Sequence, residues 1–123
     1  MNELTMISAS ALAYLGDGVI ELEVRERLVK KGYEKSLKLN TEAKKFVTAV
    51  AQNKAFLKIA DILTKDEADI ARRAKNSSHL NVPKSASAAE YKNATSFEAI
   101  FGYLYLSGNK ERIKELFDIA YSE

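Results

Sequence analysis

The sequence predicts an all-α domain, a bundle of about six to seven helices. Three observations carry this. Apolar residues recur at three- and four-residue spacing in segment after segment. Several segments open on a Ser/Thr-x-x-Glu box or an Asn, the side chains that cap helix starts. Pro83 is the only proline, and it falls in the one stretch without periodicity.

The first helix covers Ser8 to Leu28. Leu12, Leu15, Val19 and Leu22 form one apolar stripe, and Ala13, Ile20, Val24 and Leu28 form a second, with Asp17 in the middle of it. Asp17 is flanked by Gly16 and Gly18, so three residues poor at forming helix stand in a row. They read as a turn with Asp17 as an N-cap, as close-packing points for a crossing helix with Asp17 paired to a base, or as a carboxylate kept for chemistry. Lys30, Lys31 and Gly32 form a normal helix stop.

Asn40 or Thr41 caps a helix over Glu42–Gln52, and Ala55–Leu63 continues it directly or after a kink near Gln52–Asn53. Thr64 and Glu67 form a capping box opening a polar helix, Asp66–Lys75, with acids in its first turn and bases in its last. Asn76–Ser85 follows as a loop, long enough to be a functional candidate. It holds the only histidine, His79, which reads as exposed, and Arg72, Arg73, Lys75 and Lys84 border it. Those bases are either a solvated helix end or a polyanion contact.

Two capping boxes compete for the next helix, Ser87–Glu90 and Thr95–Glu98. We favour the earlier start, because Tyr91, Ala94, Phe97 (or Glu98), Phe101, Leu104 and Tyr105 then continue one pattern, which places Glu98 mid-helix among apolar neighbours. The later start makes Glu98 a cap residue. Gly108 ends this helix, and Asn109 caps a final one over Glu111–Ala120.

The 123 residues suit one domain spanning 1–123, large enough for a real core without staples. Absent cysteines exclude disulfides and thiolate metal sites. No apolar run approaches the roughly 18 residues of a membrane span, and the first residues lack the pattern of a signal peptide. A cytoplasmic protein with no membrane partner is therefore expected. The net charge of +2 is too small to argue for nucleic acid by itself. There is no phosphate-cradling glycine loop and no nucleophile–base pair of the serine or cysteine type. What remains is two isolated acids, Asp17 and Glu98, and a basic loop. Two converging carboxylates suit Mg²⁺, which keeps waters and takes substrate phosphate oxygens. The constellation suggests metal-dependent phosphodiester hydrolysis.

Tyr14-Leu15-Gly16-Asp17-Gly18-Val19 resembles the signature of the ribonuclease III family, whose aspartate binds metal. Ser96-Phe97-Glu98-Ala99-Ile100 is similar to the family's second motif, whose glutamate is the other essential ligand. Thr41–Ala49, Arg72–Asn76 and Val82–Lys84 resemble the short Mini-ribonuclease III branch, a catalytic domain with no trailing double-stranded-RNA-binding domain. The resemblance runs from about Ser8 to Leu106. It implies an all-helical endonuclease-domain bundle that works as a homodimer and cleaves double-stranded RNA with Mg²⁺. The products would carry 5′-phosphate and 3′-hydroxyl ends, and the substrate would be the ends of large-subunit (23S) ribosomal RNA precursors. A large-subunit ribosomal protein is left open as a helper. Asp17 and Glu98 would be catalytic and metal-binding, and Arg72, Arg73, Lys75, Asn76 and Lys84 would contact RNA. The alternative is a non-catalytic helical RNA-binding module in ribosome assembly. Longer family members carry further acids where this chain has Ser10, Ala13 and Thr95. The short branch lacks them too, which implies a weak metal cage.

Overall fold

The computed structural model describes residues 3–77 and 86–123. Among these there are six α-helices and no strand. A 3₁₀ turn, Glu3–Met6, leads into α1, Ala9–Lys30. The Ser8 hydroxyl accepts from the Ala11 amide at 3.1 Å and caps the helix. α1 runs unbroken through Gly16, Asp17 and Gly18, so the turn reading of that triplet is excluded. It stops where Gly32 takes φ +100°, with the Tyr33 amide donating back to the Leu28 carbonyl at 3.3 Å.

The middle of the chain departs from expectation. α2 covers Ser36–Val47 and α3 covers Ala49–Ile59. The helix thus begins several residues before the expected cap, and the break lies at Thr48 rather than at Gln52–Asn53. Thr48 is extended, and its hydroxyl accepts from the Ala51 amide at 3.2 Å, which starts α3. Thr41 caps nothing: inside α2 its hydroxyl donates to the Leu37 carbonyl one turn back, at 2.8 Å. A short 3₁₀ turn, Ala60–Ile62, closes this pair of helices.

α4 covers Lys65–Ser77, α5 Ala88–Leu106 and α6 Lys110–Ala120. The Thr64–Glu67 box forms in both directions, at 2.9 and 3.2 Å. So does the Ser87–Glu90 box, at 2.8 and 3.1 Å, which settles the competing starts: Glu98 lies mid-helix, and the Thr95 hydroxyl merely donates to the Tyr91 carbonyl. Asn109 accepts from the Arg112 amide at 3.2 Å and caps α6. Of the expected loop over Asn76–Ser85, Asn76 and Ser77 instead complete α4, and residues 78–85, with His79, Pro83 and Lys84, lie outside the described residues.

α5 is the central helix, packed against α1, α3, α4 and α6. Its run from Ser96 to Leu104 is buried apart from the half-buried Glu98. Phe97, Ile100 and Phe101 meet Leu12 and Ile20 of α1, Ile59 of α3, Ile70 of α4 and Leu116 and Phe117 of α6 in one core. The Ser96 hydroxyl, buried with them, donates to the Ala71 carbonyl at 2.7 Å and ties α5 to α4.

Two glycines set the closest approach. A Cβ on Gly16 would overlap the Glu98 carbonyl oxygen, and a Cβ on Gly102 would overlap the Leu12 carbonyl oxygen. α1 and α5 therefore cross backbone on backbone. A Cβ on Gly18 would meet nothing within 4 Å, so that glycine does not belong to the contact.

One buried ion pair fastens α4 to α6. Glu67 is 2% exposed and accepts from Arg112 Nε at 2.9 Å and Nη2 at 2.8 Å. Burial pushes its carboxyl up, but the bonds from Arg112 and Thr64 outweigh burial and hold it below the usual glutamate range.

Glu67→Ala removes the bidentate partner of Arg112, which keeps Glu115 and the Ile62 carbonyl, and is expected to cost about 3 kcal/mol in urea unfolding. Gly16→Ala and Gly102→Ala each push two backbones apart and are expected to cost about 3 kcal/mol or more. Gly18→Ala is expected to be neutral or to gain up to about 1 kcal/mol. Equal losses at all three glycines would contradict the crossing.

Candidate active site

α1 contributes Asp17. At 100° per residue, Gly16 lies near the middle of the buried arc between Leu12 and Ile20, and Asp17 lies at its edge. The side chain is accordingly exposed, not embedded in the second stripe as the periodicity implied. The first stripe also surfaces: Leu12 and Val19 are buried, whereas Leu22 is 63% exposed.

α5 contributes Glu98, whose own carbonyl is the atom that Gly16 packs against. The crossing thus brings two acids together that are far apart in the chain. The Glu98 carboxyl is half-buried and within hydrogen-bond reach of Asp17. Burial, then the neighbouring Asp17 charge and the bond between the two carboxyls, push Glu98 up to about 8. Neither acid has an Arg or Lys ion-pair partner among the described residues. A structural acid would carry one, as Glu67 does.

Two further residues line the Glu98 side. Gln52 of α3 is 2% exposed, and its amide faces the Glu98 carboxyl and favours the ionised form. Tyr121, just past α6, has its phenol pushed up by burial and by the Glu98 charge, and donates to the Phe46 carbonyl at 2.7 Å. The sequence leaves Gln52 unassigned, because the periodicity sets a kink there. The signal that finds it is a polar residue on the buried face of α3, in line with Ala55 and Ile59.

The basic residues sit elsewhere. Arg72 is exposed and pairs with Asp69, and Arg73 is half-buried and donates to the Ile7 carbonyl at 2.9 Å. Lys75 and Asn76 are exposed in the last turn of α4. Arg72, Arg73 and Asn76 line a shallow cleft with Ser8 and Ala9 at the start of α1. Nine residues of helix separate Ser8 from Asp17, about 13 Å along the axis. The bases and the acids therefore lie along one helix, not in contact. No cluster of three or more acids or histidines exists among the described residues. Ser10, Ala13 and Thr95, where the resemblance implies further acids in longer family members, carry no carboxylate. Asp17 and Glu98 nonetheless fit a divalent cation: two close carboxylates with no cation of their own and a buried neutral donor behind one of them.

The raised Glu98 sets a pH dependence. Between about 4.5 and 8 the folded protein keeps a proton that the unfolded chain has lost, so metal-free stability falls as pH rises through that window. Glu98→Gln removes the effect. Without divalent cations the variant is expected to melt near the wild-type temperature at pH 4.5 and above it at pH 8. An equal difference at both pH values would contradict the coupling.

The same arrangement of helices occurs in known proteins. A family model described as Ribonuclease III domain matches residues 10–109. A Mini-ribonuclease 3 of Symbiobacterium thermophilum is 44% identical over 119 residues, covering 97% of this chain and 91% of that protein. A Mini-ribonuclease 3-like protein of Ilyobacter polytropus is 46% identical over 112 residues, covering 91% and 87%. A crystal structure of a Fusobacterium nucleatum protein superposes with a TM-score of 0.85 at 38% identity, covering 94% of this chain and 93% of that one. The match spans α1 and α5, and so both acids and the glycine crossing between them. The chain belongs to the ribonuclease III family of endoribonucleases, in its Mini-ribonuclease 3 branch.

Proposed function

We propose that this protein cleaves double-stranded RNA by Mg²⁺-dependent hydrolysis at Asp17 and Glu98, leaving 5′-phosphate and 3′-hydroxyl ends. One observation carries the reading: the backbone crossing of α1 and α5 sets the Asp17 and Glu98 carboxyls beside each other, and no protein cation pairs with either among the described residues. Such a pair is held apart from its preferred charge state until a cation joins it. Asp17 and Glu98 would hold Mg²⁺. When bound, the ion supplies an activated water and stabilises charge on a phosphoryl oxygen.

The protein's own groups would do the remaining work. Exposed Arg72, Lys75 and Asn76, with Arg73 beside them and Lys84 by family resemblance, would hold the backbone of a duplex reaching along α1. A-form RNA offers shape, phosphates and 2′-hydroxyls rather than a readable major groove, so little base specificity is expected. A homodimer has support in the outer face of α1. Leu22, 63% exposed, lines a groove with Leu15, Val19, Tyr105 and Ile113, and Tyr14 on the same helix is 85% exposed. Large-subunit (23S) ribosomal RNA precursor ends are the proposed substrate, on the family resemblance, with a large-subunit ribosomal protein as a helper. A cytoplasmic location goes with that substrate; no described helix is long and apolar enough to cross a membrane.

Long duplex RNA incubated with and without Mg²⁺ and resolved on a gel tests the reading. Cutting is expected only with Mg²⁺, at a high requirement because two carboxylates make a weak cage. Asp17→Asn and Glu98→Gln are expected to lower the rate by more than about 100-fold, the most that losing an outer-shell partner costs. Both should keep RNA binding that weakens steeply with salt. Cleavage that survives either substitution, or that saturates at low micromolar Mg²⁺, would overturn it. RNA binding with no cutting by the wild type would leave the non-catalytic module.

A further inference from the structure

Gln52 is the one place among the described residues where a buried side-chain atom lacks a hydrogen bond: its Nε2 is enclosed and unpartnered. Buried amides are nearly always satisfied, because an orphaned donor forfeits its water without replacement. The position does not require an amide for packing. Its companions on the buried face of α3 are Ala55 and Ile59, and a leucine or methionine would fill the same space. The adjacent residue shows what α3 does with an ordinary amide: Asn53 accepts from Asn93 Nδ2 at 2.8 Å, which pins α3 to α5. Gln52, on the buried face of α3, lies close enough to Glu98 to act on its carboxyl and favour the ionised form.

We propose that Gln52 is a positioning residue of the Asp17–Glu98 site, whose Nε2 holds one oxygen of Glu98 so that the other is presented to a divalent cation. The proposal rests on the metal-dependent reading above. A ligating carboxylate commonly spends one oxygen on the ion and has the other held by an outer donor. The donor here must be neutral. A lysine or arginine in the same place would neutralise Glu98 and compete with the cation, as Arg112 does with Glu67. An amide orients the carboxylate without cancelling its charge.

Gln52→Leu and Gln52→Met keep the volume and remove the donor. Mn²⁺ binding to the RNA-free protein, followed by electron paramagnetic resonance, is expected to weaken by about 10–100-fold in both. The Mg²⁺ concentration for half-maximal cleavage should rise by the same factor. RNA affinity in EDTA should stay unchanged, and the metal-free melting temperature should stay level or rise, since an unpaired amide has been removed. A merely structural glutamine predicts the reverse pattern, a lower melting temperature with unchanged Mn²⁺ affinity. Mn²⁺ affinity within twofold of wild type in both variants overturns the proposal. In the wild type, the Gln52 side-chain amide resonances should move on Mg²⁺ addition and stay still in Glu98→Gln; a wild-type spectrum without movement overturns the proposal even if the variants fold poorly. Should Glu98→Gln itself bind Mn²⁺ like wild type, the metal reading falls and takes this inference with it, whereas loss in Glu98→Gln with none in the Gln52 variants overturns the inference alone.

Discussion

The backbone contact between α1 and α5 is the constraint on which the rest of the molecule depends. Side chains ordinarily hold packed helices about 8–10 Å apart. Gly16 and Gly102 remove that spacer on both sides, so the carbonyls of Glu98 and Leu12 fill the space of the missing methyls. Each glycine weakens its own helix. In return the two helices interlock at one register, and the residues next to the contact, Asp17 and Glu98, have no freedom to drift apart. The acids are neighbours because of what is missing beside them.

Two glutamates show how environment decides role. Glu67 and Glu98 both lie on helices and both lose water. Glu67 meets a bidentate guanidinium and a free helix N-terminus, and stays ionised. Glu98 meets another acid and a neutral amide, and is pushed up. The first arrangement is satisfied as it stands and serves the fold. The second sets two acids side by side next to an unpaired donor, which a stabilised fold would have replaced with apolar side chains. That unfinished electrostatics marks the site more sharply than the identity of the acids does.

The division between site and scaffold also follows the helices. α5 is greasy on nearly every face and can only be a core element, so its mid-helix acid stands out. α1 is buried on one side and exposes Tyr14, Leu22 and Val29 on the other, which leaves a face with apolar surface still to cover. α4 carries its acids early and its bases late, and presents the bases beside the start of α1. The proposed chemistry, the proposed partner surface and the basic cleft are thus spread along one helix, α1, and read from its two open sides.

What was legible in the sequence was local. Helical periodicity, both Thr64 and Ser87 capping boxes, the Gly32 and Gly108 stops and the isolation of Asp17 and Glu98 all rest on bonds and spacings within four residues, which a linear chain records directly. Even local pattern misleads at α2, because Thr41 and Thr48 offer the same hydroxyl and only packing decides which one caps a helix. The exposure of Asp17, the Arg112 partner of Glu67, the pairing of Gly16 with Glu98 and the turn of Gln52 toward that same carboxyl were decided by tertiary structure. Each joins residues on different helices, and the periodicity of a helix says which face is buried without saying which neighbour buries it.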